Sequence, residues 1–322
     1  MGRNDNTNTS DVTDVTFKAD DPILNQIGDT PLVEFPGNEA IFCKLEAKNP
    51  TRSHKDRLGL GMILTMRKRG ELEPGQRVIE ASSGNMASGV ALAANRLGHP
   101  YTIVAPESAS PIKMGYVRAL GGELIQTPAV PHDHEDYYQK KATEHAKETG
   151  GVLINQYERS LNPEVHYAWT GPELWEQIEG LGITHIVAAT GSGGTLSGIG
   201  RYVKEHDPSV TIVGVDAEQS NISRDFTGQE RGEYDTEVEG LGQYRTTDAI
   251  DFEVIDEMID IPDDVALKTT RRVAEKDGML VGVSSGAVLA AAQDILKSDP
   301  DARIVTIVHD GAEQYFHQVE GW

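Results

Sequence analysis

The chain has 322 residues, of which 38% are hydrophobic and 6% aromatic, and its 51 acidic and 29 basic residues give a formal net charge of -22. A chain of this length is enough for one large domain or two of ordinary size. The negative charge argues against nucleic acid or an anionic membrane as a partner, because binding to either requires basic patches. A membrane helix is not expected either, because no run approaches the required ~18 consecutive apolar residues.

The first 20 residues are polar and acidic. We therefore expect no signal peptide and predict that residues 1–20 form a mobile acidic tail of a cytoplasmic protein. Acidic residues are also spread along the rest of the chain, and salt would screen the resulting self-repulsion. This pattern predicts a halophilic protein from a salt-loaded cytoplasm, with an ordinary acidic enzyme as the alternative.

From residue 41 onward, short apolar runs alternate with longer amphipathic stretches. Strands are predicted at residues 41–46, 77–81, 101–105, 123–127, 152–155, 185–189, 211–216 and 303–308. Helices are predicted at residues 55–69, 85–97, 112–120, 134–149, 163–179, 195–205, 262–277 and 286–297. This alternation predicts an α/β fold with parallel sheets and helices on both faces. The polar, glycine-rich stretch 221–250 is predicted to be a mobile loop.

Two features bear on sulfur and metal chemistry. Cys43 is the only cysteine and lies in a predicted strand, so we expect a small core residue and no disulfide within the chain. His132 and His134 are flanked by acidic residues, which is typical of a solvated loop. Because two histidines alone do not complete the ligand set of a zinc site, we expect no metal there.

Residues 53–57, with the sequence Ser-His-Lys-Asp-Arg, begin a predicted helix shortly after a predicted strand. Lys55 falls in the first helical turn, where the helix dipole favours anions. This placement tends to lower the pKa of the lysine, as a Schiff-base nucleophile requires. A surface ion pair with Asp56 is the alternative, and on this segment alone it is the better interpretation.

Residues 190–195, with the sequence Thr-Gly-Ser-Gly-Gly-Thr, connect a predicted strand to a predicted helix. Glycines and small hydroxyl residues let backbone N–H groups converge on an anion such as phosphate at the positive end of the helix. A purely structural turn is the alternative. A dinucleotide fingerprint is excluded, because Leu196 stands where that motif requires glycine.

Two further loops also connect an apolar run to a helix. Residues 82–87, Ser-Ser-Gly-Asn-Met-Ala, offer N–H groups and the Asn85 side chain to a carboxylate, or simply cap the helix. Residues 282–286, Gly-Val-Ser-Ser-Gly, place a serine hydroxyl where it either bonds a ring nitrogen or caps the next helix.

These four loops, in this order, resemble those of the fold-type II pyridoxal-phosphate enzymes, most closely the cysteine synthase and cystathionine beta-synthase branch. The segments at residues 27–32, 44–50 and 311–315 also match family motifs, so the resemblance spans residues 27–315. It implies two three-layer α/β domains with mostly parallel sheets and the cofactor in the cleft between them. The implied smaller domain is residues 47–151 and the larger is residues 21–46 plus 152–322. It also implies a homodimer.

The resemblance implies roles for individual residues. Lys55 would form the Schiff base with pyridoxal 5'-phosphate and act as the base at Cα. Ser284 would bond the pyridine nitrogen without stabilising a pyridinium, which suits β-elimination better than transamination. The phosphate would be bound by Gly191, Ser192, Gly193, Gly194 and Thr195. Asn85 would bond the ring's 3'-oxygen, and the substrate carboxylate would be bound by Ser82, Ser83, Asn85 and Met86.

The implied reaction is β-replacement on O-acetylserine or O-phosphoserine with sulfide, giving L-cysteine. Two departures from the family pattern leave the donor and the nucleophile open: Thr51 and Arg52 replace two glycines, and Met86 and Ala87 replace a Thr-Gly pair. Arg52, together with Arg245 in the predicted mobile stretch, is predicted to pair with a phosphate leaving group through bidentate bonds.

Other functions remain open at this point. A related enzyme would use homocysteine to make cystathionine or an amine to make diaminopropionate products. A serine or threonine dehydratase is a further alternative. A relative that binds the cofactor without turnover is disfavoured, because such a protein need not retain Lys55.

Overall fold

The computed structural model of the protein describes residues 10–18 and 20–319. The strands of this part are β1 (Leu32–Phe35), β2 (Asn38–Leu45), β3 (Val78–Ala81), β4 (Tyr101–Pro106), β5 (Glu123–Thr127), β6 (Val152–Leu153), β7 (His185–Ala189), β8 (Thr211–Ala217), β9 (Glu257–Ile261) and β10 (Ile304–Val308). The α-helices are α1 (Ser10–Thr13), α2 (Lys55–Lys68), α3 (Asn85–Arg96), α4 (Pro111–Ala119), α5 (Tyr138–Thr149), α6 (Leu161–Val165), α7 (Gly171–Ile178), α8 (Gly194–His206), α9 (Asn221–Thr227), α10 (Asp263–Asp277) and α11 (Val283–Ser298).

The strands form two sheets. A six-stranded sheet has the order β1-β2-β10-β7-β8-β9, in which β1 and β2 are antiparallel and the other pairs are parallel. A four-stranded sheet has the order β5-β4-β3-β6 and is entirely parallel. The central strand β10 is buried at every position, as expected for a parallel strand covered on both faces. The predicted α/β class with mostly parallel sheets is confirmed.

Every predicted strand is present, but strands β1 and β9 and helices α1 and α9 were not predicted. Strands β1 and β9 lie at the two edges of the larger sheet, where half-exposed positions interrupt the apolar run that makes central strands recognisable. Helix α9 begins the stretch that was predicted to be a mobile loop. The predicted helix 163–179 is divided into α6, a π-helical segment (His166–Thr170) and α7, whose start contains Pro172, which has no backbone N–H.

Two predicted boundaries differ from the structure. Strand β6 pairs with Val78 and Ile79 of β3, so the smaller sheet extends beyond the predicted domain boundary at residue 151. We propose a boundary after Leu153. In the predicted tail, Val12 and Phe17 are 1% and 8% exposed, and the Phe17 ring stacks on Trp169 with centroids 4.6 Å apart. These residues therefore pack on the body of the protein, while residues 1–9 and 19 of the predicted tail lie outside the described residues.

Three smaller predictions are also addressed by the fold. Cys43 is fully buried in β2, as predicted for a core residue, and burial raises the pKa of its thiol to about 11. Among residues 10–18 and 20–319, no cluster of three or more potential metal ligands is found. No helix within the same residues is long and apolar enough to cross a membrane.

Candidate active site

The loops at the carboxyl ends of the parallel strands of both sheets surround one cavity of about 310 Å³. Its lining includes most of the residues predicted to bind a cofactor or substrate, namely Lys55, Ser82, Ser83, Asn85, Met86, Gly191, Ser192, Gly193, Thr195 and Ser284. Gly194 is the first residue of α8, directly after this lining. The structure therefore brings together the four loops that the sequence analysis singled out, as expected for a site at the carboxyl edge of parallel sheets.

Lys55 is the first residue of α2 and faces the cavity. Burial among its neighbours lowers the pKa of its ammonium group to about 8, although the attraction of Glu80 opposes that shift. Glu80 is fully buried, and burial raises the pKa of its carboxyl group to about 8. The backbone N–H of Asn155 donates to Glu80 Oε2 at 2.9 Å. A substantial fraction of Lys55 is therefore a neutral, nucleophilic amine at mildly alkaline pH.

Buried charges fix the start of α2. The side chain of Arg57 is fully buried and donates to Glu46 at 2.8 Å and to Glu173 at 2.7 Å. Burial raises the pKa of the Glu173 carboxyl, but hydrogen bonds and attraction from Arg57 and Lys44 outweigh this and hold it at about 2. Lys55 lies two residues before Arg57, so this buried network also fixes the position of Lys55.

Helix α2 also packs closely on α3, whose own first turn lines the cavity. A Cβ atom added at Gly89 would lie 2.3 Å from the backbone oxygen of Lys55, which no side chain tolerates. Asp56 accepts a hydrogen bond from the backbone N–H of Thr51 at 2.6 Å, which closes the turn before α2. The positions of Lys55 and of the Asn85 loop are therefore coupled through direct backbone contact.

The glycine loop after β7 is suited to an anion. It leads directly into α8, whose first N–H groups have no partner within the helix. A Cβ atom at Gly194 would lie 2.0 Å from Asn162 Oδ1, so a larger residue there would have to displace the buried Asn162 amide. Asn162 in turn donates to Ser192 Oγ at 3.1 Å, which fixes the loop from behind. The arrangement fits a phosphate group.

Two further side chains present unpaired polar atoms at the cavity. Asn85 donates through Nδ2 to Asp310 at 2.7 Å, while its Oδ1 atom is buried and has no partner. Both ring nitrogens of His309 are also buried without partners. Ser284 is 4% exposed and lies in the first turn of α11. Buried polar atoms without partners are rare, and here they face a cavity that has room for a polar, flat ring.

The chain matches the family model described as pyridoxal-phosphate dependent enzyme over residues 23–310. The chain belongs to this family. Its cofactor is pyridoxal phosphate, and the four loops, the buried amine and the unpaired polar atoms of the cavity fit that cofactor.

Similar proteins narrow the branch of the family. The cysteine synthase of Staphylococcus aureus is 35% identical over 301 residues, which cover 92% of this chain and 95% of that protein. Cysteine synthase B of Escherichia coli is 34% identical over 297 residues, which cover 90% of this chain and 92% of that protein. The cystathionine beta-synthase of Apis mellifera is 38% identical over 307 residues, which cover 91% of this chain and 60% of that protein.

Solved structures of similar fold include enzymes that act on serine derivatives by name. O-acetyl serine sulfhydrylase isoform 3 of Entamoeba histolytica has a TM-score of 0.84 and 31% identity, covering 93% of this chain and 91% of that one. The structure of O-ureido-L-serine synthase has a TM-score of 0.85 and 28% identity, and the match covers 93% of this chain and 96% of that chain. The predicted fold class and the resemblance to the cysteine synthase branch of the pyridoxal-phosphate enzymes are thereby confirmed.

Two predicted substrate-binding residues do not line the cavity of this pyridoxal-phosphate enzyme. Arg52 adopts a left-handed backbone conformation, with φ of 70°, and its side chain pairs with Glu313 at 2.5 Å. Arg245 pairs with Glu158 at 2.9 Å and lies against the ring of Tyr244. Both guanidinium groups therefore have acidic partners outside the lining, and closeness in sequence to Lys55 did not place Arg52 in the site.

Several lining residues were not assigned a role from sequence. They include His54, Lys113, Glu239, His309, Asp310 and Tyr315. Tyr315 belongs to a matched family motif, so its role in the site could have been predicted from the sequence. No sequence pattern pointed to Lys113 or Glu239, because Lys113 lies in a predicted helix without a motif and Glu239 lies among many acidic residues.

The pKa of Lys55 leads to a test of its neighbour. The rate at which cofactor-free protein binds added pyridoxal phosphate is expected to rise with pH through about 8, because the neutral amine is the nucleophile. Glu80→Gln should move this midpoint to lower pH, because the carboxylate that favours the ammonium form is removed. The visible absorption band of the bound cofactor measures the rate. Asp133→Asn in an exposed loop is the control, and an unchanged or raised midpoint in Glu80→Gln would contradict the coupling.

Proposed function

We propose that the protein makes L-cysteine by β-replacement, with an activated serine as the amino-acid substrate and sulfide as the nucleophile. The observation that carries this proposal is the convergence of Lys55, the glycine loop and the Asn85 loop in one cavity of a chain related to cysteine synthases. O-acetylserine and O-phosphoserine are the two donors considered.

The site residues have distinct proposed roles. Lys55 would hold the cofactor covalently until the amino group of the substrate displaces it, and the released neutral amine would take the proton from Cα of the substrate. Pyridoxal phosphate supplies the electron sink that makes this proton acidic. The cofactor phosphate is bound by Gly191, Ser192, Gly193, Gly194 and Thr195. Asn85 bonds the ring's 3'-oxygen, and the substrate carboxylate is bound by Ser82, Ser83, Asn85 and Met86.

Ser284 determines which reaction follows proton removal. Its hydroxyl group would donate a hydrogen bond to a neutral ring nitrogen, but it has no charge with which to stabilise a protonated one. The bound cofactor would then be a weaker electron sink, so that loss of the β-substituent would compete well with reprotonation elsewhere. This property favours elimination and replacement over transamination.

Product analysis in concentrated KCl tests the proposal. The holoenzyme is incubated with each donor, with and without sulfide, and cysteine and pyruvate are measured. We expect sulfide-dependent cysteine formation from one of the two donors. Pyruvate formed at the same rate with and without sulfide would indicate a dehydratase instead. Product formed only with homocysteine or an amine would indicate the related β-replacements, and no product at all would indicate a binding protein without turnover.

We also propose that the protein is a cytoplasmic homodimer adapted to high salt, which is supported by the family resemblance and by the net charge of -22. The melting temperature is expected to fall as KCl is lowered from molar to millimolar concentration, because unscreened carboxylates repel each other. Sucrose at matched osmolality is the control, since it does not screen charge. A melting temperature that is independent of KCl, or that sucrose restores equally well, would contradict the adaptation.

A further inference from the structure

Lys113 is a buried cation in the cavity wall that the proposed reaction does not use. It is the third residue of α4 and is 1% exposed. Its ammonium group pairs with the carboxylate of Glu239, is 3.4 Å from Tyr315 Oη, and lies 4.5 Å from the centroid of the Tyr315 ring. A lysine this deeply buried is rare and requires a charged partner.

The partner of Lys113 is the more exposed side of this pair. Glu239 lies in the connection between α9 and β9, outside any helix or strand, and its side chain is 34% exposed. Lys113 itself is held on α4 and is enclosed by the aromatic ring of Tyr315. Glu239 can therefore leave the pair more easily than Lys113 can move to another partner.

A hydrogen-bonded chain joins Lys113 to the Asn85 loop. Tyr315 Oη donates to Asp310 Oδ2, and Asn85 Nδ2 donates to the same oxygen at 2.7 Å. The ammonium group of Lys113 thus lies on the Asn85 side of the cavity, where the substrate is proposed to bind. Asp310 Oδ1 is buried without a partner, so this wall can accept one more hydrogen bond from a bound molecule.

Cationic side chains are few in the cavity wall, which also contains the carboxyl groups of Glu239 and Asp310. Among the described residues, the lining contains two lysines, Lys55 and Lys113, and no arginine. Lys55 is committed to the cofactor. Two histidines in the lining, His54 and His309, are neutral near pH 7 because burial lowers the pKa of each ring. Lys113 is therefore the cation in this wall that remains for a second negatively charged group.

We propose that Lys113 binds a negatively charged group of a substrate, a phosphate or a carboxylate, and that this group displaces Glu239 from the ion pair. The proposal rests on the proposed β-replacement, in which that group has two possible sources: the phosphate of O-phosphoserine, or the α-carboxylate of an amino-acid nucleophile such as homocysteine when it replaces sulfide. Exchange of one anion for another keeps the buried ammonium paired throughout, so binding avoids the cost of an isolated buried charge. A phosphate dianion has the advantage over a single carboxylate in charge and in acceptor oxygens.

Binding of inorganic phosphate to the holoenzyme, measured by calorimetry at constant KCl, is the first test. Lys113→Met is expected to raise the Kd at least about tenfold, the equivalent of one charge-assisted hydrogen bond. Glu239→Gln should lower the Kd, because the competing carboxylate is gone, and Lys113→Arg should retain binding. Lys297→Met, which replaces a lysine whose side chain is 77% exposed, is the matched control and should behave as the wild type.

Kinetics then identify the source of the anion. If it is the phosphate of the donor, Lys113→Met lowers the ratio of kcat/KM for O-phosphoserine to that for O-acetylserine about tenfold. If it is the carboxylate of the nucleophile, this ratio is unchanged, and Lys113→Met raises the KM for homocysteine relative to that for sulfide. Either pattern supports the proposal.

The two variants are designed to have opposite effects. If the ion pair only ties the Glu239 segment to α4, Lys113→Met and Glu239→Gln weaken phosphate binding in parallel, or leave it unchanged, and the proposal is overturned. Should Lys113→Met fail to fold, phosphate binding by Glu239→Gln still tests the proposal. Weaker phosphate binding in that variant would overturn it. Phosphate binding as expected, without cysteine formation from either donor, would refute the proposed function and leave the anion site intact.

Discussion

Replacement of Lys55 by alanine is expected to lower kcat for cysteine formation at least about a thousandfold, within the range known for loss of a positioned proton-transfer group. The variant loses both the covalent attachment of the cofactor and the base that removes the Cα proton. It should still fold, because burial already disfavours the charged form of this lysine and lowers its pKa to about 8. Steady-state kinetics and a melting curve measure the two effects.

The control for this variant lies on the same helix. Lys68→Ala removes a lysine from the last turn of α2, where the side chain is 41% exposed. Its kcat should be close to that of the wild type. A Lys55→Ala protein that retains more than about a tenth of the wild-type kcat would contradict the assigned role, because a positioned base contributes at least about a hundredfold.

Arg57→Met is expected to destabilise the fold by about 3–5 kcal/mol, because it removes the ion-pair partner of the fully buried Glu46 and one of the two partners of Glu173. Arg57 and Glu46 are fully buried, and Glu173 receives hydrogen bonds from both terminal nitrogens of Arg57 at 2.7 Å. Lys44 remains as a partner for Glu173 but does not replace the lost bonds to Glu46. Urea denaturation at constant KCl measures the free energy of unfolding.

A surface pair with similar geometry provides the comparison. Arg231 donates to Asp225 at 2.7 Å, but its side chain is 54% exposed, so Arg231→Met should cost at most about 1 kcal/mol. Adding Glu46→Gln to Arg57→Met should restore part of the lost stability, because it removes one of the uncompensated charges. Equal losses in Arg57→Met and Arg231→Met would contradict the importance of the buried network for the start of α2.

The parts of the site that were predictable from sequence share one property. Lys55, the Asn85 loop, the glycine loop at residues 191–195 and Ser284 each lie at the start of a helix, and the Asn85 and glycine loops directly follow strands β3 and β7. In parallel sheets, a strand followed by a helix places the loop between them at the carboxyl edge of the sheet. Local sequence therefore carried enough information to predict that these loops meet.

The rest of the site depends on pairs that are distant in sequence. Lys113 meets Glu239, which is 126 residues away, and Asn85 meets Asp310, which is 225 residues away. No periodic pattern or motif in the sequence predicts that the residues of either pair are in contact. Arg52 is the opposite case: it is three residues from Lys55, yet it has a left-handed backbone conformation, pairs with Glu313 and does not line the cavity.

Covalent attachment of pyridoxal phosphate to Lys55 is tested most directly by reducing the purified holoenzyme with borohydride, digesting it and mapping the pyridoxyl group by mass spectrometry. We predict a single labelled peptide with the label on Lys55, because this lysine lies at the start of α2 beside the other three loops. A label on Lys113, the second lysine of the cavity, on a surface lysine, or on no lysine at all would contradict the assignment of this cavity as a pyridoxal-phosphate active site built on Lys55.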